Sequence, residues 1–132
     1  MEFSGFIIDE TDQGLKIELT SMSQVHVLLR ICLFAKFPRD YQFDSIPLLS
    51  PFVSQLVRAC HERIQKDPVE RIATALNSSP WPVFRQSDEF TRAVMKCIDE
   101  YIDQIGRENV TEAERERLIR IAIEPHTVEG FD

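Results

Sequence analysis

The sequence is poor in the residue types from which many catalytic and ligand sites are built. It holds 4 glycines, and no phosphate-binding loop, dinucleotide fingerprint or Gly-x-Ser-x-Gly nucleophile motif occurs. Its 3 cysteines are odd in number and lie far apart, at Cys32, Cys60 and Cys97. Cysteines on apolar helical positions are typical of reduced, buried thiols rather than of disulfides or zinc ligands. The sequence therefore predicts no catalytic residue, no metal site and no cofactor.

Long hydrophobic runs are also absent. The longest apolar run, around Val25 to Ala35, is interrupted by His26 and Arg30. It is far shorter than the about 20 residues that a membrane helix needs. The first ten residues lack a basic segment ahead of an apolar one, which is not typical of a secretory signal. Together with the predicted reduced thiols, these features predict a cytoplasmic protein.

Negative charge is in excess and is unevenly distributed. The net charge is −7, and residues 67–132 hold 8 Lys and Arg against 14 Asp and Glu, which gives −6. An acidic surface repels phosphate backbones and anionic lipids, so neither nucleic acid nor a membrane is an expected partner. A basic protein is a possible partner, although solubility alone would also explain the charge.

The strongest apolar pattern begins at Ser21, which with Gln24 has the spacing of a helix capping box. The apolar residues that follow are Val25, Val27, Leu28, Leu29, Ile31, Cys32, Leu33 and Phe34. They cover almost the whole circumference of a helix, and only His26 and Arg30 interrupt them. A helix that is apolar on nearly every side is predicted to be buried on nearly every side. We therefore predict a central buried helix over about residues 22–36.

Residues 3–20 have the pattern of a β-hairpin with its turn at Thr11 to Gly14. Leu15, Ile17 and Leu19 alternate with polar residues, as in a strand with one buried face. This apolar face is expected to lie on the central helix, because an isolated hairpin is marginal in water. The free edge of the hairpin is able to accept a strand from a partner.

Four further helices are predicted from their start signals and apolar periodicity. They begin at Ser50-Pro51, Asp67-Pro68, Ser87 and Thr111. The sequence thus predicts an α+β, mostly α fold, in which an N-terminal β-hairpin packs on a bundle of about five helices. Residues 1–132 form one predicted domain. The tail at 125–132 is expected to be loose, or to dock through Val128 and Phe131 as an added strand.

Three acids on the helix predicted after Ser87 are the leading candidates for a contact with a basic partner. Asp99 and Asp103 lie four residues apart and so share one helix face with Glu100 beside them, where like charges are mildly destabilising. Trp81 is the fourth candidate, because it lies between two prolines in a stiff loop and tryptophan is a common interface anchor. Alternatively, the acids form a solvated helix face and Trp81 closes the core.

Arg30 and His26 are the alternative candidates, as one edge of a pocket for an anionic ligand. They share a face of the most apolar helix, where a guanidinium must reach water or a carboxylate. Alternatively, they mark the solvent edge of that helix.

The sequence is compatible with three classes of function. The leading prediction is a small acidic protein that acts by protein–protein interaction, for example as an inhibitor, an immunity or antitoxin-like protein, or a regulator. The second is a ligand-binding domain or an enzyme with a pocket near Arg30 and His26. The third is a helical protein that self-associates, for instance as a homodimer.

Overall fold

The computed structural model describes residues 2, 3, 5–69 and 83–130. Its elements are β1 (Glu2–Phe3), β2 (Phe6–Thr11), β3 (Gly14–Leu19), α1 (Met22–Lys36), α2 (Ser45–Leu48), α3 (Pro51–Lys66), β4 (Val83–Phe84), α4 (Glu89–Ile105), a 3₁₀ turn (Arg107–Asn109), α5 (Glu112–Ile123) and β5 (Thr127–Val128). The predicted α+β, mostly α class is confirmed. The helix predicted beyond Asp67-Pro68 and the loop around Trp81 lie outside the described residues.

Polar side chains begin most of these helices as the sequence predicts. Ser21, Ser50 and Thr111 each accept a hydrogen bond from the backbone N–H three residues on, at 3.4, 3.3 and 3.1 Å. The start predicted at Ser87 is wrong by one residue, because Asp88 is the N-cap of α4. The Asp88 carboxylate accepts a hydrogen bond from the backbone N–H of Arg85, which lies before the helix.

The hairpin has the predicted strands and turn. β2 and β3 are antiparallel, with Ile8 opposite Ile17 and Thr11 opposite Gly14. Gly14 has a φ of 130°, a conformation that is open to glycine and strained for other residues. A third strand, β1, pairs with β2, because the chain turns at Gly5 instead of continuing straight. The strand order is β1-β2-β3, so β3 is an edge strand of the sheet.

Among the described residues, the larger hydrophobic cluster lies around α4 rather than α1. Its buried members are Leu48, Leu49, Phe90, Val94, Ile98, Ile102, Ile119, Ala122, Ile123 and Val128. A second cluster joins α1 to α3 through Val25, Leu29, Cys32, Val57, Cys60 and Ile64. The bounds predicted for the central helix are correct, but its predicted burial on nearly every side is wrong, because Val27, Ile31 and Phe34 are exposed on the side away from α3.

The C-terminal residues are held by a short strand. β5 pairs with β4 in parallel, with Phe84 opposite Val128, and Val128 is buried in the larger cluster. Phe131 lies outside the described residues. The docked arrangement of Val128 brings His126 against the C-terminal end of α1, where it contacts Phe37.

Candidate docking surface

Helix α1 has two apolar stripes on opposite faces. Its buried residues include Val25, Leu29 and Cys32, which lie four and then three residues apart and face α3. Because successive helical residues are about 100° apart, the residues at 27, 31 and 34 lie on the opposite face. These three define the α1 stripe: Val27, Ile31 and Phe34, with exposed fractions of 47%, 60% and 66%. The sequence placed apolar residues on both faces, and the described chain covers only one.

The β-hairpin also leaves most of its apolar face uncovered. Leu15, Ile17 and Leu19 share one face of β3, and Ile8 lies opposite Ile17 on the same face. Leu19, at the base of the hairpin, packs on the cluster between α1 and α3. Ile8, Leu15 and Ile17 are each more than half exposed. The prediction that this face lies on the central helix is therefore correct only at its base, at Leu19.

A groove of about 540 Å³ lies at the C-terminal end of the α1 stripe. Its lining residues are Arg30, Leu33, Phe34, Phe37, Arg39 and His126. Phe34 belongs to both the groove and the stripe. The groove contains Arg30, as in the predicted pocket near Arg30 and His26, but the lining histidine is His126 rather than His26. Its two guanidinium groups share an opening with two phenyl rings and an imidazole.

His126 is held in an aromatic cluster that forms the inner wall of this groove. Its ring centroid lies 4.5 Å from that of Phe37 and 5.5 Å from those of Phe84 and Phe90. Burial, with a smaller contribution from the charge of Lys36, lowers the pKa of His126 to about 4. The imidazole is therefore neutral at neutral pH, so the positive charge of the groove comes from its arginines.

Acid should destabilise the fold through His126. The unfolded histidine gains its proton near pH 6.5 and the folded one near pH 4, so the unfolded chain binds more protons between these values. The free energy of unfolding should therefore decrease as the pH is lowered from 6.5 to 4, by about 1–2 kcal/mol after solvent screening. Urea unfolding at several pH values should show that His126→Phe removes this component. His26→Gln is the control and should still lose stability in acid. An acid response of His126→Phe equal to that of the unmodified chain would show that His126 does not cause the loss.

Lys36 connects the end of α1 to α3 and α5 by hydrogen bonds. This residue is not among those predicted from the sequence. Its exposed fraction is 0%. Its Nζ donates hydrogen bonds to Ser54 Oγ at 2.8 Å, and to the backbone carbonyls of Ile121 and Glu124. The spacing contains a signal, because Lys36 continues the buried row of Leu29 and Cys32. A lysine on a buried row must find acceptors, and here the C-terminal end of α5 supplies them.

The three acids of the predicted partner site lie on α4 and are paired within the chain. Asp103 accepts a hydrogen bond from Arg107 at 2.6 Å, Arg115 lies 3.4 Å from Asp99, and Lys96 lies 4.0 Å from Glu100. These pairs are largely exposed, so each contributes little to stability. They also neutralise part of the charge that a basic partner would meet. Trp81, the fourth candidate, lies outside the described residues.

The thiols have the environment of structural rather than reactive cysteines. Cys32 and Cys60 are buried, Cys97 is half-buried, and all three are free. Burial raises the pKa of each thiol, which keeps the nucleophilic thiolate scarce at neutral pH. Among residues 2, 3, 5–69 and 83–130, no group of three or more His, Cys, Asp or Glu side chains is placed to hold a metal ion.

Comparisons with protein-family models, curated proteins and solved structures find no significant match for this chain. Within the described ranges, no helix combines the length and apolar character needed to cross a membrane.

Proposed function

We propose that this protein acts by binding another protein, and that the α1 stripe is its main contact surface. The observation that carries the proposal is the exposure of Val27, Ile31 and Phe34 on a helix whose opposite face is packed on α3. A row of apolar residues at positions i, i+4 and i+7 is the usual way in which a helix presents anchors to a partner. Large exposed apolar patches are characteristic of interaction sites.

The uncovered face of the hairpin supports the same proposal. Ile8, Leu15 and Ile17 add apolar surface on an element that joins α1 directly in the chain. In the described sheet β3 lies at the edge, so its outer side offers backbone groups that a strand of a partner can extend. We place the interaction in the cytoplasm, on the ground of the three free cysteines.

Asp99, Glu100 and Asp103 form the competing contact surface, for a basic partner. Their internal pairing with Lys96, Arg107 and Arg115 weakens this second proposal, because a partner would have to replace existing ion pairs. Binding of a small ligand in the groove at Arg30 is a further alternative. Neither alternative explains why three large apolar side chains face water on α1.

The test compares two triple variants of the full chain in co-purification from the cells that naturally contain it. Val27→Ser/Ile31→Ser/Phe34→Ser should lose the captured partner, with an affinity loss of about 100-fold or more, because apolar anchors dominate binding energy. Asp99→Asn/Glu100→Gln/Asp103→Asn is the matched control and should bind within about 3-fold of the unmodified chain. Affinities are measured by calorimetry once the captured protein has been identified.

Both variants alter exposed or half-buried side chains, so their urea midpoints should stay close to that of the unmodified chain. Loss of the partner only in the acid variant would transfer the function to the α4 surface. Retention of the partner in both variants would reject both surfaces. A concentration-dependent dimer that the serine variant abolishes, seen by sedimentation velocity, would make a second copy the partner.

A further inference from the structure

The α1 segment of this acidic protein is locally basic. Residues 20–39 contain Arg30, Lys36 and Arg39 and no Asp or Glu, although the whole chain has a net charge of −7. Lys36 is buried behind the groove, whereas Arg30 and Arg39 are exposed and line it. In the part of the chain that the structure describes, neither of these two arginines forms an ion pair.

The groove and the α1 stripe form one continuous feature, because Phe34 belongs to both. The stripe covers two helical turns, or about 10 Å, which matches two turns of a partner helix. Beyond Phe34 the groove offers guanidinium groups, which bind carboxylates in a bidentate geometry. Leu33 and Phe37 give it an apolar lining, so a carboxylate there is partly shielded from water.

Resting on the function proposed above, we infer that the partner presents an amphipathic helix with acidic flanks. Its apolar residues pack on Val27, Ile31 and Phe34, and a carboxylate of Asp or Glu lies between Arg30 and Arg39. Charge complementarity selects this partner, because the groove at the end of the stripe presents Arg30 and Arg39 while the whole chain is acidic. Basic helices would meet two unpaired guanidinium groups.

A second copy of the chain is a poorer occupant of this surface. Antiparallel pairing of two α1 helices through their stripes would bring the two Arg30 side chains together beside the central Ile31. Like charges at an interface oppose binding. The acids on α4 of a second copy are already paired with Lys96, Arg107 and Arg115. An anionic membrane is disfavoured by the net charge of −7.

The experiment selects binders from a displayed library of amphipathic helices. The apolar positions are fixed as large aliphatic or aromatic residues, and each flanking position varies among Glu, Lys, Gln and Ala. Selection uses the full chain as bait, with Val27→Ser/Ile31→Ser/Phe34→Ser as the counter-selection. We expect Glu to be enriched and Lys depleted at the flanking positions. A labelled acidic clone should bind at least about 10-fold more tightly than its Gln counterpart in fluorescence anisotropy.

Arg30→Gln/Arg39→Gln should remove this preference, lowering the affinity for the acidic clone about 10-fold while leaving that for the Gln clone unchanged. Arg63→Gln/Arg92→Gln, which neutralises two exposed arginines on α3 and α4, is the charge-matched control and should keep the preference. Stripe-dependent binders without acidic enrichment would overturn this inference and leave the proposed function standing. A failure to select stripe-dependent binders would overturn both this inference and the proposed contact surface. A dimer that depends on the stripe would overturn this inference alone.

Discussion

Ile98→Ala should lower the free energy of unfolding by about 3–4 kcal/mol, whereas Ile31→Ala should change it by less than about 0.5 kcal/mol. The two substitutions remove the same atoms, each from an apolar position of a helix. Ile98 lies on α4 with an exposed fraction of 0%, and its truncation leaves a cavity in the larger core cluster. Ile31 lies on the α1 stripe and already faces water.

Urea unfolding of both variants, with midpoint and slope fitted together, measures the difference. The pair also serves the functional proposal, because Ile31→Ala should weaken partner binding while the fold stays intact. A loss of several kcal/mol in Ile31→Ala would mean that this side chain is covered in solution. The α1 stripe would then be part of the core, and the proposed docking surface would be rejected.

The contrast between these two isoleucines marks what sequence can predict. The apolar row of Phe90, Val94 and Ile98 on α4 is buried, because its helix has one apolar face and several elements to bury it. Helix α1 has apolar residues on all sides, and periodicity shows where they lie without showing how many elements cover them. The described chain supplies α3 along one face, and the other face stays open.

The groove was predicted only in part, for a different reason. Arg30 was singled out because a charge on an apolar helix needs an explanation. Arg39 and His126 gave no comparable signal, since one follows the helix and the other lies in the C-terminal segment. His126 meets Arg30 only because β5 docks beside β4 and brings His126 against Phe37. That pairing joins segments far apart in sequence, which local patterns do not encode.

Lys36→Met should destabilise the fold by about 2–3 kcal/mol at neutral pH. Residue 125 is a proline without an N–H, so the carbonyl of Ile121 lacks its ordinary helical donor four residues on. Lys36 Nζ and the Ser54 hydroxyl donate to that carbonyl instead. Methionine fills a similar volume but donates nothing, which leaves the carbonyl of Glu124 without this buried donor.

The matched control is Lys66→Met, at the exposed end of α3. It removes the same charge from a residue open to water, so its effect should stay below about 0.5 kcal/mol. Urea unfolding measures both variants. An equal stability of Lys36→Met and the unmodified chain would show that apolar packing compensates for the lost hydrogen bonds, as it does for some buried charges.

The pH dependence of the Lys36 variant separates the charge from the packing. Burial, partly offset by Glu124, lowers the pKa of Lys36 from 10.5 to about 8. Between these values the unfolded chain binds more protons than the folded one, so the stability of the unmodified chain should rise with pH. Relative to Lys36→Met, the free energy of unfolding should increase by up to about 3 kcal/mol. The reason is that a neutral amine costs little to bury and still donates hydrogen bonds. Unfolding curves at pH 8 and above test this, and a constant difference between the two proteins would show that Lys36 keeps an ordinary pKa and that its ammonium is hydrated in solution.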